Sequence, residues 1–128
     1  MLFRSEFGQL TLLLYFTTTA NKITGSLPTE LGSLTSLTFL GASRNQLNSS
    51  IPTEVGKLVK LQSLSASDNK LTGSLPSVLG SLTGLTYLEV SGNRLTGTIP
   101  TEIGNLTLLS QFLADTNNLS GSDRKSVV

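Results

Sequence analysis

The side chains whose type and spacing come nearest to a catalytic arrangement are the carboxylates Glu89 and Asp115. Inverting glycosidases hold two such groups about 6.5–9.5 Å apart, and an offset of one strand and two residues gives roughly 8 Å. On an open, hydrated surface nothing raises the pKa of the acid partner, and no nucleophile–base pair accompanies the carboxylates. The sequence therefore predicts that the protein is not an enzyme.

Composition excludes most other chemistry. The 128 residues contain no cysteine and no histidine, so disulfides, thiolate metal sites and histidine-based catalysis are absent, and we expect no cofactor and no bound metal. Nine basic against eight acidic residues give a net charge of +1, which favours no nucleic-acid partner. The longest apolar run, Leu12–Phe16, is too short for a membrane segment, and Glu6 interrupts the one stretch that resembles a signal peptide.

A 24-residue repeat organises nearly the whole chain, up to Gly121. All four prolines obey this period, and so do three columns of mostly leucine, which is typical of a solenoid of about five turns. One turn cannot bury its apolar side alone, so stacked turns must share one core around a short strand near residues 39–42. Asparagines recur at the bend after each strand, where an amide satisfies backbone groups that a buried turn would leave unpaired: Asn21, Asn45, Asn69, Asn93 and Asn117.

The proline of each turn predicts a short helical or 3₁₀ segment. Proline fixes φ at the start of such a segment, and Pro28–Leu31 is the first example, with Gly32 expected to end it.

The segment LTGLTYLEVSGNRLTGTIPTEIGNL resembles the plant-type leucine-rich repeat, LxxLxxLxLxxNxLxGxIPxxLGx. That family includes ectodomains of receptor-like kinases and receptor-like proteins, and polygalacturonase-inhibiting proteins. The resemblance implies an α/β repeat solenoid, a right-handed superhelix with a short-stranded parallel sheet on its concave face and 3₁₀, short helical or irregular segments on its convex face. Family members usually carry cysteine-paired caps, and this chain has none.

The repeat predicts two regions. Residues 1–121 form the array of about five turns, and residues 122–128 form a polar tail that is out of phase with the repeat. The first turn is partial, because Phe3 and Gly8 fit the period whereas Arg4 stands where proline belongs. We interpret the chain as a slice of a longer array, since uncapped ends expose apolar side chains and strand edges.

Residues between the inward leucines alternate onto the concave face, and they vary in size and charge while the frame does not. Such variation indicates a surface that binds a protein or peptide, although drift of solvent-facing residues explains it too. The predicted ligand-binding residues are Tyr15, Phe39, Arg44, Asp68, Tyr87, Glu89, Gln111 and Asp115.

Three other functional interpretations stay open. One is a structural or scaffold array in the cytoplasm, which the absence of cysteine and signal peptide favours, whereas the family resemblance favours an extracellular or cell-surface location. Another is ice binding by the hydroxyl column Thr29, Thr53, Ser77 and Thr101. A third is end-to-end self-association through uncapped strand edges. Glycosylation motifs at Asn48, Asn105 and Asn118 permit secretion without demonstrating it.

Overall fold

A computed structural model describes residues 9–120 as a parallel solenoid. The predicted half turn at Phe3–Gly8 and the tail 122–128 lie outside the described residues. Seven three-residue strands occur in the described part of the chain: β1 (Tyr15–Thr17), β2 (Thr24–Ser26), β3 (Phe39–Gly41), β4 (Gln46–Asn48), β5 (Ser63–Ser65), β6 (Tyr87–Glu89) and β7 (Gln111–Leu113).

Five of these strands form one parallel sheet in the order β1-β3-β5-β6-β7. The register is the one that the 24-residue period predicts, since Phe39 pairs with Tyr15 on one side and with Ser63 on the other. A second parallel pair, β2 and β4, lies on another side of the turns. Backbone hydrogen bonds continue that second ladder to the last described turn, where Ser120 N donates to Gly97 O at 2.8 Å.

Each turn also contains a 3₁₀ helix that follows a proline in extended conformation. The prediction that Gly32 ends the first of these helices is wrong, because the helix continues to Ser33. Gly32 is needed for space instead: a Cβ there would lie 2.9 Å from the Glu54 carbonyl oxygen of the next turn. The 3₁₀ helices that lie entirely within residues 9–120 are Thr29–Ser33, Thr53–Lys57, Ser77–Ser81 and Thr101–Asn105.

The core consists of the periodic apolar columns, and leucines such as Leu37, Leu61 and Leu85 are completely buried. These side chains point into the core. Because successive residues of a strand alternate between its two faces, the residues between them lie on the concave face of the five-stranded sheet. Within the described residues, no helix has the length and apolar character required to cross a bilayer.

Asparagine side chains join each turn to the one before it. The Asn45 amide nitrogen donates to its own turn at Ala42 O (3.1 Å) and to the preceding turn at Thr18 O (3.0 Å). Its oxygen accepts from Ile23 N at 3.1 Å. The same pattern recurs at Asn69, Asn93 and Asn117. Because the amide satisfies groups on two turns, it fixes how the strands of the surface lie relative to one another.

Candidate binding surface

An aromatic pair stands on the concave face at the N-terminal side of the sheet. The rings of Tyr15 and Phe39 stack with centroids 4.3 Å apart and planes inclined by 8°. Tyr15 is 59% exposed although it carries a large ring. A Cβ at Gly41 would lie 3.0 Å from the Phe39 ring carbon Cε1, so glycine leaves the space in which this ring lies flat along the strand.

A chain of hydroxyl groups lies beside the aromatic pair. Ser67 Oγ donates to Ser43 Oγ at 3.0 Å, Ser43 and Ser65 are joined at 2.6 Å, and Ser65 Oγ donates to the Glu89 carboxylate at 2.7 Å. Ser43 and Ser67 are almost completely buried, while Ser65 and Glu89 are half-buried. The chain therefore runs from the buried floor of the surface to one half-buried carboxylate.

Tyr87 contacts the same carboxylate from within its own strand. Burial, then the charge of Glu89, then a hydrogen bond to Glu89 raise the pKa of Tyr87 above its ordinary value of 10.0. The Ser65 hydroxyl group donates to this carboxylate, which fixes the position of Glu89 on the face.

Arg44 and Asp68 lie at equivalent bends just after two strands. Both have left-handed backbones, with φ of 57° and 56°, and both are exposed. Aspartate visits this region more readily than arginine does, because its short side chain can bond locally. Together with Phe39, Gly41 and Glu89 they line a shallow depression of about 380 Å³.

The structure brings six of the eight predicted binding residues together. Four line the depression, Tyr15 stacks on one of them and Tyr87 bonds to another. Gln111 lies on β7 at the edge of the sheet, outside the lining. Asp115 is also outside it, where it accepts a hydrogen bond from Ser91 and shares no described contact with Glu89.

The sequence interpretation missed the serines and glycine of this site. Ser43, Ser65, Ser67 and Gly41 all line the depression, and none was among the predicted binding residues. Their signal is positional: 24-residue spacing pairs Ser43 with Ser67 and Ser65 with Glu89 on neighbouring strands.

A second set of hydroxyl groups follows the β2–β4 side of the solenoid. These groups occupy two columns two residues apart, and most of them are exposed. This face was also missed, although its repeated Thr-Gly-Ser pattern is visible in the sequence. The columns are Thr24, Thr72, Thr96 and Ser120, with Asn48 between the first two, and Ser26, Ser50, Ser74 and Thr98.

Other predicted residues lie on the surface. The column Thr29, Thr53, Ser77 and Thr101 is exposed and begins each 3₁₀ helix. The glycosylation candidates Asn48, Asn105 and Asn118 are exposed as well. Among residues 9–120, no group of three or more carboxylates is arranged to hold a metal ion.

Comparison with protein families identifies the repeat. A model described as a leucine-rich repeat region matches residues 3–126. No curated protein matches the chain by sequence.

Solved structures share the fold closely. The plant peptide hormone receptor RGFR1, solved in complex with RGF2, has 36% identity and a TM-score of 0.93 over 94% of this chain. The ectodomain of the Arabidopsis thaliana receptor kinase GASSHO1/SCHENGEN3, in complex with CASPARIAN STRIP INTEGRITY FACTOR 2, has 41% identity and a TM-score of 0.88 over 93%. A plant ice-binding protein has 30% identity and a TM-score of 0.85 over 92%. This chain spans 19%, 14% and 38% of those three proteins, respectively.

Proposed function

The chain belongs to the leucine-rich repeat family, and we propose that it is a non-catalytic module that binds a protein or peptide through its concave face. The observation that carries this proposal is the stacked pair Tyr15–Phe39. A large exposed aromatic surface is unfavourable in water, whereas stacked rigid rings are suitable anchors for a partner.

Two further observations support the proposal. Receptor ectodomains that resemble this chain are solved with ligands, as RGFR1 is with RGF2. The face also combines aromatic, hydroxyl and charged groups, which is the mixture that protein interfaces use. Five strands spaced about 4.8 Å apart offer a few hundred Å², well below the roughly 800 Å² per partner of a stable interface. We therefore expect weak binding to these turns alone.

The test is selection of peptides from a random library displayed in many copies, since multivalent display detects weak binders. Selected peptides should lose about tenfold in affinity for the Phe39→Ala variant and for the Tyr87→Ala variant. Val59→Ala is the matched control, because Val59 is 56% exposed and lies outside the strands of the sheet. Selected peptides that bind all three variants equally would refute the concave assignment, and failure to enrich any peptide would favour the scaffold alternative.

Ice binding is the second candidate function. The observation that favours it is the pair of hydroxyl columns on the β2–β4 side, with strands about 4.8 Å apart and columns about 6.6 Å apart. A regular lattice of hydroxyl groups can order water, and a plant ice-binding protein shares the fold.

The test of this candidate is thermal hysteresis measured on single ice crystals. Replacing Thr72 and Thr96, both exposed, by lysine should abolish it, because bulky charges break the lattice of hydroxyl groups. Thr53→Lys is the control, because Thr53 is exposed and begins a 3₁₀ helix away from the β2–β4 side. Loss of hysteresis in Thr53→Lys would instead indicate that ice binds to the hydroxyl column at the helix starts. Wild-type protein without hysteresis would refute ice binding altogether.

A further inference from the structure

The direction of the serine hydrogen bonds determines what the depression beside Phe39 can bind. A carboxylate at neutral pH only accepts hydrogen bonds, so the single proton of Ser65 goes to Glu89. Ser43 must then donate in the bond between Ser43 and Ser65. Ser67 donates to Ser43 through both its backbone N–H (3.0 Å) and its hydroxyl group. No serine of this chain of bonds keeps a free proton.

The three serines of the depression therefore present acceptors without donors. Ser43 has both lone pairs occupied, whereas Ser65 and Ser67 retain unused lone pairs. The carboxylates of Glu89 and Asp68 add acceptors and two negative charges. Among the described residues of the lining, Arg44 is the only one with a cationic side chain, which leaves one net negative charge.

The wall of the depression is aromatic, and an aromatic face attracts the same positively charged groups as the acceptors of the floor. The Phe39 ring is held flat by its stack on Tyr15 and by the space over Gly41, so part of an aromatic surface borders the carboxylates. Aromatic faces attract cations, and the interaction strengthens when water is excluded. A volume of about 380 Å³ accommodates one long side chain with some water.

We infer that this depression binds a guanidinium or ammonium group, namely an arginine or lysine side chain of the peptide partner. The inference deepens the proposed function and rests on it. The basic group would donate to Glu89 and to the serine oxygens, and its stem would lie along Phe39. Arg44, at an exposed bend of the lining, balances only one of the two carboxylates there.

The experiment uses two small probes and needs no natural ligand. Nα-acetyl-arginine amide and Nα-acetyl-glutamate amide are titrated separately while the backbone amide resonances of Gly41, Ser65 and Ser67 are followed by NMR. We expect saturable shifts with the arginine probe in the millimolar range, and at least about tenfold weaker binding to the Glu89→Gln variant. Asp68→Asn, which keeps the size of the side chain at an exposed bend, is expected to weaken binding severalfold.

Glu102→Gln is the matched control, because it removes the same charge from a 3₁₀ helix outside the depression. If the glutamate probe saturates its shifts and an Arg44→Gln variant no longer binds it, the inference is overturned in favour of an anionic ligand. Arginine shifts that do not saturate, or that fall equally in Glu89→Gln and Glu102→Gln, would overturn it as well. The titration is independent of the peptide selection, so either result can fail while the other stands.

Discussion

Replacing Asn69 by alanine tests whether the asparagine ladder holds the turns together. The Asn69 side chain accepts from Leu47 N at 3.0 Å and donates to Ala42 O, Ala66 O and Ser67 O at 3.0, 3.2 and 3.1 Å. Alanine leaves the buried Leu47 N–H without an acceptor, which costs about 1–3 kcal/mol, and weakening of three carbonyl bonds adds about 1 kcal/mol. We expect the free energy of unfolding to fall by about 3 kcal/mol.

The matched control is Asn21→Ala. Asn21 is exposed, and its described hydrogen bonds reach only Thr18 and Thr19 of its own turn. Its loss should cost about 1 kcal/mol or less, because water replaces these bonds. Urea unfolding followed by far-ultraviolet circular dichroism measures both variants, with equal m-values required for the comparison. If the two variants differ by less than about 1 kcal/mol, the ladder is not the inter-turn link that its geometry indicates.

Two further predictions follow from packing and from charge. A Cβ at Gly80 would lie 2.6 Å from Glu102 O, whereas one at Gly104 meets nothing within 4 Å. Gly80→Ala should therefore destabilise the fold by about 1–3 kcal/mol, and Gly104→Ala should change it by less than about 1 kcal/mol in urea unfolding; equal losses would contradict the packing argument. Because the folded pKa of Tyr87 is raised above 10.0, its stabilising effect is complete below that pH and is lost as pH rises through the folded value. In an ultraviolet titration of tyrosinate, Glu89→Gln should lower the pKa of Tyr87, and an unchanged curve would show that Glu89 does not contact it.

The fold could be predicted from the sequence because every frame residue performs the same local task in each turn. Periodic leucines determine the core, and register follows from the period, as the pairing of Leu40 with Leu64 shows. The task of Gly32 was not predictable in the same way. Its environment is the Glu54 backbone of the next turn, and a linear reading of one turn contains no information on that neighbour.

The predicted binding residues coincide only in part with the lining of the depression, and the reason is related. Phe39 and Glu89 can be identified from the sequence by their size or charge alone. The role of a serine, in contrast, depends on which residue of the neighbouring turn it bonds to. Ser65 matters because it donates to Glu89, and that pair is separated by a whole turn.

In a solenoid the sequence is better treated as a two-dimensional lattice than as a line. Residues 24 apart are stacked neighbours, as in the bonds from Ser67 to Ser43 and from Ser65 to Glu89. Residues 22 apart are diagonal neighbours, as in the bond between Ser43 and Ser65 that joins the two columns. Since an acceptor at one end of such a path imposes the direction of every hydroxyl group along it, a single carboxylate determines the hydrogen-bonding character of a surface three strands wide. Changing that carboxylate should therefore alter ligand preference more than changing any one serine.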